Sequence, residues 1–263
     1  MNTQGIFGIT VLGSGSKGNA SVIHAPEGLV LLDAGFSGKE LENRLGKCGI
    51  RPADIKAVLI THEHSDHMKG CRVFSNKYGI RTYMTPLTCA GALRTNLLPE
   101  RKTLFSTGCA FDLCGMKVEA FTLPHDVDTV GFVFRVGNAK LGVATDLGHL
   151  NMLAKQKLHD CSLLMLEANH DKTMLQNSSR PIQLKRRIIG RHGHLSNDDA
   201  LGAFHELLTA KTGKVILAHL SEECNNSTLL EKLALDRLAN LQRQDILLEI
   251  AKQDTVLAAE WLL

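Results

Sequence analysis

The sequence predicts an α/β fold in which layered sheets are covered by helices. Short apolar segments that end in polar residues recur along the chain, as is typical of buried strands whose last residue emerges at a sheet edge. Helical patterns lie between these segments. Hydrophobic residues make up 44% and charged residues 22% of the 263 residues, which is enough apolar material for a sizeable core.

Strands are predicted where short apolar segments end in a polar residue, and helices where apolar residues recur at helical spacing. The predicted strands lie at residues 8–12, 20–25, 29–33, 55–61, 141–146, 162–167 and 215–219, with a strand-rich stretch at 103–136. A helix is predicted at 196–208, where Ser196 is a suitable N-cap and Asp199 follows three residues later. A second helix is predicted at 226–241. No linker or clear repeat interrupts this pattern, so we predict one compact domain.

Composition and charge exclude several classes of protein. The first residues lack a charged segment followed by an apolar stretch, so no signal peptide is predicted. No apolar run approaches the roughly 20 residues that a membrane helix needs, so no membrane partner is expected. Seven cysteines without a Cys-x-x-Cys pair favour reduced thiols in a cytoplasmic protein over a disulfide framework. The net charge of +3 is too small to indicate a partner.

Three histidines and an aspartate follow the predicted strand at 55–61 within six residues. His62 and His64 form a His-x-His pair that can present two imidazoles to one ion, and Asp66 and His67 can turn toward a second. Imidazole and carboxylate are suitable ligands for zinc, manganese or iron. A lone histidine is more often a core or surface residue, but this density is difficult to explain without a metal. The sequence therefore predicts a metal-dependent hydrolase.

The pattern His-x-His-x-Asp-His resembles the signature of the metallo-β-lactamase superfamily. Four further segments resemble that superfamily's other motifs: Leu-Leu-Asp-Ala-Gly around Asp33, Leu-Pro-His-Asp around His125, Ala-Thr-Asp-Leu-Gly-His around Asp146, and Leu-Ala-His-Leu-Ser around His219. The resemblance extends over almost the whole chain. It implies an α/β fold of the αββα four-layer sandwich type, formed by residues 1–263 as one domain whose two similar halves meet near 135–140.

The resemblance also implies a site for two divalent metal ions. One ion would be held by His62, His64 and His125, the other by Asp66, His67 and His219, with Asp146 between them. Asp33 would support the metal-binding loop without ligating. Two cations roughly 3.5–4 Å apart share a water molecule, lower its pKa and stabilise the negative charge that develops on attack.

The motifs also discriminate among branches of the superfamily. The commonest β-lactamases have a cysteine where this chain has Asp146, which argues against that branch. The distance along the chain from Asp146 to His219 is too short for the inserted domain of the β-CASP nucleases. Glu167, in Glu-Ala-Asn-His-Asp, and His194, in Gly-His-Leu-Ser-Asn, follow the order found in the ribonuclease Z branch. With Leu-Gly-Ser-Gly-Ser-Lys-Gly-Asn near the N-terminus, these motifs are most similar to the YycJ/WalJ-like group, associated with 5′-to-3′ DNA exonuclease activity and mismatch repair.

The resemblance implies a mechanism in which a metal-bridging hydroxide attacks a phosphodiester. His194 would protonate the leaving oxygen, oriented by Glu167, and Asp66 is counted with them as catalytic. The alternative for His194 is that it only caps the helix that begins near Ser196. His170 would either contact the substrate or support a ligand.

The residues at 13–18 match the pattern Gly-x-Gly-x-x-Gly, but a dinucleotide site would require a helix to begin there. Two strands are predicted instead, so we expect a tight hairpin near the metals. The residues expected to support ligands or to contact substrate are Asp33, Ser14, Ser16, Asn19, His170, Ser196 and Ser221. A basic cluster precedes His194 and is either a solvated helix face or a site for the DNA backbone: Arg180, Lys185, Arg186, Arg187 and Arg191.

Three functions remain at this point. The leading one is a dinuclear phosphodiesterase that acts as a DNA 5′–3′ exonuclease. The second is a hydrolase of small thioesters, lactones or cyclic phosphodiesters, for which the basic cluster would be irrelevant. The third is a non-catalytic metal-binding regulator. The sequence leaves open the identity of the metal (zinc, manganese or iron) and the oligomeric state.

Overall fold

The structure, a computed structural model, describes residues 7–262 and contains two seven-stranded sheets. Residues 1–6, which belong to the segment without a signal-peptide pattern, lie outside the described residues. The first sheet contains β1 (Gly8–Gly13), β2 (Ala20–Ala25), β3 (Gly28–Leu32), β4 (Ile55–Leu59), β5 (Arg81–Met84), β6 (Lys102–Leu104) and β14 (Leu257–Trp261). The second contains β7 (Ala110–Leu113), β8 (Met116–Leu123), β9 (Thr129–Val136), β10 (Ala139–Ala144), β11 (Leu163–Glu167), β12 (Lys214–Ala218) and β13 (Leu247–Ile250). All seven separately predicted strands are therefore present, within one or two residues of their predicted ends.

Both sheets have the same arrangement of strand directions. In the order β14-β1-β2-β3-β4-β5-β6, the pairs are antiparallel up to β3 and parallel from β3 onward. In the order β7-β8-β9-β10-β11-β12-β13, they are antiparallel up to β10 and parallel from β10 onward. Because each antiparallel half can be joined by short hairpins and each parallel half needs crossovers, the helices gather around the parallel strands.

The chain passes from the first sheet to the second between Leu104 and Ala110. The boundary predicted near 135–140 falls instead in the hairpin between β9 and β10, where Val136 pairs with Ala139 inside the second sheet. A hairpin of this kind joins neighbouring strands of one sheet, and the change of sheet occurs earlier, so we propose that the two halves meet between Leu104 and Ala110 rather than near 135–140. All described strands belong to the two sheets. The segment between Asp146 and His219, residues 147–218, therefore contains no additional sheet.

Within the part of the chain that the structure describes, ten α-helices flank the sheets. They are α1 (Gly38–Lys47), α2 (Ser65–Met68), α3 (Cys71–Tyr78), α4 (Pro86–Arg94), α5 (Met152–Leu158), α6 (Lys172–Asn177), α7 (Ile182–Ile189), α8 (Asn197–Gly202), α9 (Phe204–Leu207) and α10 (Ser227–Asn240). The predicted helix at 226–241 is confirmed, with the Asn226 side chain as its N-cap. Ser196 caps α8 as predicted, but the predicted helix is divided at Ala203, beside Gly202, a residue of low helix propensity.

Three clusters of buried apolar side chains give the structure four layers. One lies between the sheets and includes Val11 and Val30 from the first sheet and Phe132 from the second. The others lie between each sheet and its helices. Strands covered on both faces are continuously apolar, which explains why they were visible in the sequence. The α/β fold of αββα type is therefore confirmed. Because the sheets share one core, we propose that the chain is a single domain.

Helices within residues 7–262 are all too short or too polar to span a bilayer. The longest, α10, has 14 residues.

Three loops meet backbone to backbone at the edge of the first sheet. Asn19 donates its backbone N–H to the carbonyl of Asp66 (2.7 Å), and Gly35 donates its N–H to the carbonyl of Asn19 (2.9 Å). A Cβ atom at Gly35 would lie 1.6 Å from the Asp66 carbonyl oxygen. Only glycine therefore allows the loops to approach this closely.

We expect Gly35→Ala to lower the free energy of unfolding by about 1–3 kcal/mol or more, because the backbone of Asp66 must move. The control is Gly46→Ala in α1, where the added Cβ meets nothing within 4 Å and helix propensity predicts a gain of about 0.5–1 kcal/mol. Denaturant unfolding of both variants measures the difference, and equal stability of the two would contradict the packing argument.

Candidate metal centre

The seven predicted metal ligands lie in the segments that follow the carboxyl ends of strands β4, β8, β10 and β12. Asp33 follows β3 and Asp146 follows β10, at equivalent positions of the two sheets. Both have positive φ angles, 59° and 62°, and so does His219 after β12, at 58°. This left-handed conformation is uncommon for residues other than glycine and is typical of sites where tertiary contacts impose the backbone. The two sheets thus direct their strand ends toward one cleft.

The structure brings all seven predicted metal ligands together. Their side-chain ligand atoms form overlapping groups in which every atom lies within 4.8 Å of the others in its group. The groups are His62, His64 and His125; His62, His67 and Asp146; Asp66, His67 and His219; and Asp146, Glu167, His194 and His219. Asp146, like His62, His67 and His219, belongs to two of these groups.

His62 and His67 are oriented by a network that ends at Asp33. The Asp33 carboxylate lies 2.7 Å from Nδ1 of His67 and also accepts the hydroxyl of Thr61 at 2.9 Å. Nδ1 of His62 lies 3.0 Å from the same hydroxyl oxygen, so it donates there. Each Nδ1–H is used in this way, so Nε2 of His62 keeps its lone pair free for a ligand, whereas Nε2 of His67 lies 3.0 Å from Nδ2 of Asn19 and 3.1 Å from Oδ2 of Asp146.

His125 and His219 are also oriented by a hydrogen bond at Nδ1. Nδ1 of His125 donates to the carbonyl of Gly193 at 3.0 Å, and Nδ1 of His219 lies 2.8 Å from Oε1 of Glu167. Because these acceptors fix the tautomer, Nε2 again carries the free lone pair. Hydrogen bonds at Nδ1 therefore orient the four buried imidazoles of His62, His67, His125 and His219 for metal binding.

Several of these side chains have buried atoms without a hydrogen-bond partner among the described residues. They include Nε2 of His62, His125 and His219 and Oδ2 of Asp146. Buried polar atoms are normally paired, since an unpaired one costs roughly 1–3 kcal/mol. A divalent cation with imidazole and carboxylate ligands would satisfy them, so the residues present fit the ions that the fold implies.

The pKa shifts of the cluster also indicate a site for cations. Burial lowers the pKa of His219, but Asp146, Asp66 and Glu167 outweigh it and raise the pKa to about 10. Burial raises the pKa of Glu167, but His194 and His219 outweigh it and hold the pKa at about 2. The carboxylates thus attract positive charge strongly, and bound cations would supply it in place of protons on the imidazoles.

His194 stands at the rim of the cleft, as the sequence predicts. Its Nδ1 lies 2.8 Å from Oε1 of Glu167, the same oxygen that binds His219. Oε2 of Glu167 accepts the backbone N–H groups of Leu147 and Leu195, both at 3.0 Å. The capping alternative for His194 is not seen, because Ser196 caps α8. Glu167 is therefore in contact with the segments of Asp146, His194 and His219 at once.

Other predicted residues lie near the cleft with different contacts. Ser14 is buried, accepts the backbone N–H of His219 (3.0 Å) and donates to Asn19 (2.9 Å). Asn19 in turn donates to the Gly15 carbonyl at 3.0 Å, which closes the loop. Nδ2 of Asn19 also lies 3.0 Å from Nε2 of His67, so Ser14 and Asn19 hold the loop together and connect it to the segments of His219 and His67. Ser16 and Ser221 line the cleft.

The five residues of the basic cluster differ in their contacts. Arg180 and Arg187 line the cleft, but they pair with Glu223 and Asp126 respectively. Lys185 donates to two backbone carbonyls at 2.7 Å, beside the end of α6. The side chains of the other two cluster members, Arg186 and Arg191, have no hydrogen-bond or ion-pair partner among the described residues.

Three supporting residues were missed by the sequence-based reasoning, although each lies beside a recognised motif. Thr61 relays the contact between His62 and Asp33. Asn169 donates to the His219 carbonyl at 2.8 Å. Asp126 places Oδ1 3.2 Å from Nε2 of His125 and 3.4 Å from Nε2 of His64. Their contacts join distant segments, so only the fold reveals them.

Comparison with known proteins agrees with this geometry. Residues 29–220 match the Beta-lactamase superfamily domain. Exodeoxyribonuclease YycJ of Bacillus anthracis is 34% identical over 223 residues, covering 84% of each chain. Exodeoxyribonuclease WalJ of Streptococcus pneumoniae is 32% identical over 238 residues, covering 89% of this chain and 88% of the relative. The metallo-β-lactamase fold protein YhfI of Bacillus subtilis superposes with a TM-score of 0.72 at 15% identity, covering 95% and 99% of the two chains.

The fold and its relatives define the protein as a metal-dependent hydrolase. The chain belongs to the β-lactamase superfamily, and it is related over most of its length to the YycJ and WalJ exodeoxyribonucleases.

We expect Asp33→Asn to weaken metal binding about 10–100-fold, because the amide cannot accept from both His67 and Thr61 in the way a carboxylate does. The measurement is metal titration after removal of bound ions with a chelator. Asp112→Asn, at an exposed position of β7, is the control and should bind metal like the unmodified protein. Equal affinities of the two variants would remove Asp33 from its supporting role.

Proposed function

We propose that this protein is a dinuclear metal-dependent phosphodiesterase that degrades DNA from the 5′ end. The observation that carries the proposal is the position of His194 at the rim of the metal cleft, held by the oxygen of Glu167 that also holds His219. A hydrolytic site for phosphodiesters needs a proton donor for the leaving alkoxide beside the ions, and His194 is suitably placed.

The ions would be divided between two sets of residues. One set is His62, His64 and His125; the other is Asp66, His67 and His219, with Asp146 between them. When bound, the two ions activate a water molecule and offset the charge of the phosphate. Nδ1 of His194 is engaged with Glu167, so Nε2 is left to donate its proton to the leaving oxygen. Asp66 is only partly buried at the cleft surface and completes the acidic side of the site.

The proposal of DNA as substrate is supported by the relatives and by charge. Both relatives described above are named exodeoxyribonucleases. Arg187 and Arg180 lie at the cleft, and Arg186 and Arg191 extend the basic surface along and beyond α7. Cations placed in this way suit a phosphate backbone. A role in DNA repair and a cytoplasmic location, in keeping with seven unpaired cysteines, belong to the same proposal.

The main competing function is hydrolysis of a small thioester, lactone or cyclic phosphodiester in the same cleft. A non-catalytic regulator is disfavoured by the presence of all seven ligands together with His194 and Glu167.

We expect release of mononucleotides from 5′-labelled DNA by the metal-loaded protein, with and without a 5′-phosphate. The DNA activity should fall steeply with added salt, because displaced counterions contribute a slope of about −0.7 per phosphate contact on single strands. Turnover of a thioester or of bis-p-nitrophenyl phosphate alone, with DNA left intact, would favour the competing function.

We expect His194→Ala to reduce turnover of DNA about 10²–10⁴-fold while both metal ions remain bound, because the variant loses only the proton donor. His205→Ala is the control, since His205 is exposed and contacts the carbonyl of Gly202. Metal content and turnover are measured on the same samples. Unchanged turnover in His194→Ala would assign His194 a structural role, and loss of metal would make it a ligand.

A further inference from the structure

A second cavity lies against the opposite face of α7 from the metal cleft. Leu184, Arg187 and Ile188 of α7 line the cleft. The α7 residues that line the second cavity share one helical face: Ile182, Lys185, Arg186 and Ile189. Helix α7 is therefore a wall between two spaces.

His194 lines both spaces, so the two meet at the proposed proton donor. The second cavity has a volume of about 400 Å³, which is within the range of roughly 300–1,000 Å³ typical of small-ligand sites. A substrate in the cleft that extended past the imidazole of His194 would place one further group in the second cavity.

The lining of the second cavity has both apolar and basic parts. Leu175, Ile182 and Ile189 provide apolar surface, and Arg186 has no side-chain partner among residues 7–262. The other cations are already engaged: Lys185 donates to carbonyls, and Lys172 pairs with Asp199 at 3.2 Å. An apolar surface beside a free guanidinium suits a nucleobase together with a phosphate.

His170 adds a buried polar group to this cavity. It lines the cavity and is only 1% exposed, and its Nδ1 has no hydrogen-bond partner within the described chain. The backbone at His170 is fixed by a bridge to Ser196. Because an unpaired buried nitrogen is costly, a ligand with a polar group would stabilise it.

We propose that this cavity holds the 5′-terminal nucleotide of the DNA, which is the nucleotide released in each turnover. This inference rests on the proposed function. A water oxygen forms a bond to phosphorus, the bond from phosphorus to O3′ breaks, and His194 gives its proton to O3′. The proton of the water passes to solvent. The leaving O3′ belongs to the terminal nucleotide only when the strand is attacked from its 5′ end, so the cavity on the side of His194 predicts 5′-to-3′ polarity and release of single nucleotides.

The first test fills the cavity with Ile189→Trp. Ile189 is 61% exposed, so the larger side chain does not disturb the core. The ratio of kcat/KM for DNA to that for bis-p-nitrophenyl phosphate should fall at least tenfold, because the small diester does not extend past His194. The control Leu235→Trp, at an exposed position of α10 away from both spaces, should leave this ratio unchanged.

The second test uses the product. Deoxyadenosine 5′-monophosphate should inhibit DNA degradation by the unmodified enzyme competitively, and Arg186→Ala should raise the inhibition constant at least fivefold. Arg72→Ala on α3 is the matched control. DNA degradation that is normal in both cavity variants, or inhibition that does not change in Arg186→Ala, would overturn the nucleotide cavity and leave the phosphodiesterase intact. Failure of the unmodified enzyme to degrade DNA would overturn both.

Discussion

The carboxylate of Glu167 is completely buried and accepts four hydrogen bonds from four separate residues. Two come from the imidazoles of His194 and His219, and two come from backbone N–H groups next to Asp146 and His194. A buried carboxylate is stable only when its charge is compensated and its lone pairs are satisfied. The ends of three segments must therefore close around it before the cleft has its shape. Removal of this one group would leave the imidazoles of His194 and His219 and two backbone amides without this partner.

The two sheets supply this geometry through the same strand arrangement, used for different purposes. Asp33 and Asp146 occupy equivalent positions after the fourth strand of each antiparallel set, and both have left-handed backbones. Asp33 turns to Thr61 and His67 and supports them from behind, whereas Asp146 lies in the ligand cluster. The difference follows from the next strand. β4 leads into the histidine-rich loop, while β11 ends at Glu167, which supports the ligand and the proton donor of the second half.

Helix α7 connects the chemistry of the cleft with the surface around it. Its length is only eight residues, yet its opposite faces border two spaces that meet at His194. The basic residues that resembled a uniform patch in the sequence have distinct roles in the fold. Arg180, Lys185 and Arg187 are held by partners in the protein. The other two cations are Arg186, which lines the second cavity, and Arg191, which lies beyond the end of α7.

The sequence by itself determined the class of fold, most strand limits and the Ser196 helix cap, and its motifs selected the seven residues of the candidate metal cluster. These are local properties, since apolar runs, capping side chains and dense histidine motifs are visible in a short window. Only the tertiary structure decided how Asp33, Thr61, Glu167 and Gly193 fix the imidazole tautomers, since these contacts join residues up to 68 positions apart. It also showed that the chain passes to the second sheet after Leu104, and that Ser14 and Asn19 connect their loop to the segments of His219 and His67. Long-range hydrogen bonds depend on how strands are ordered in a sheet, which no local pattern encodes.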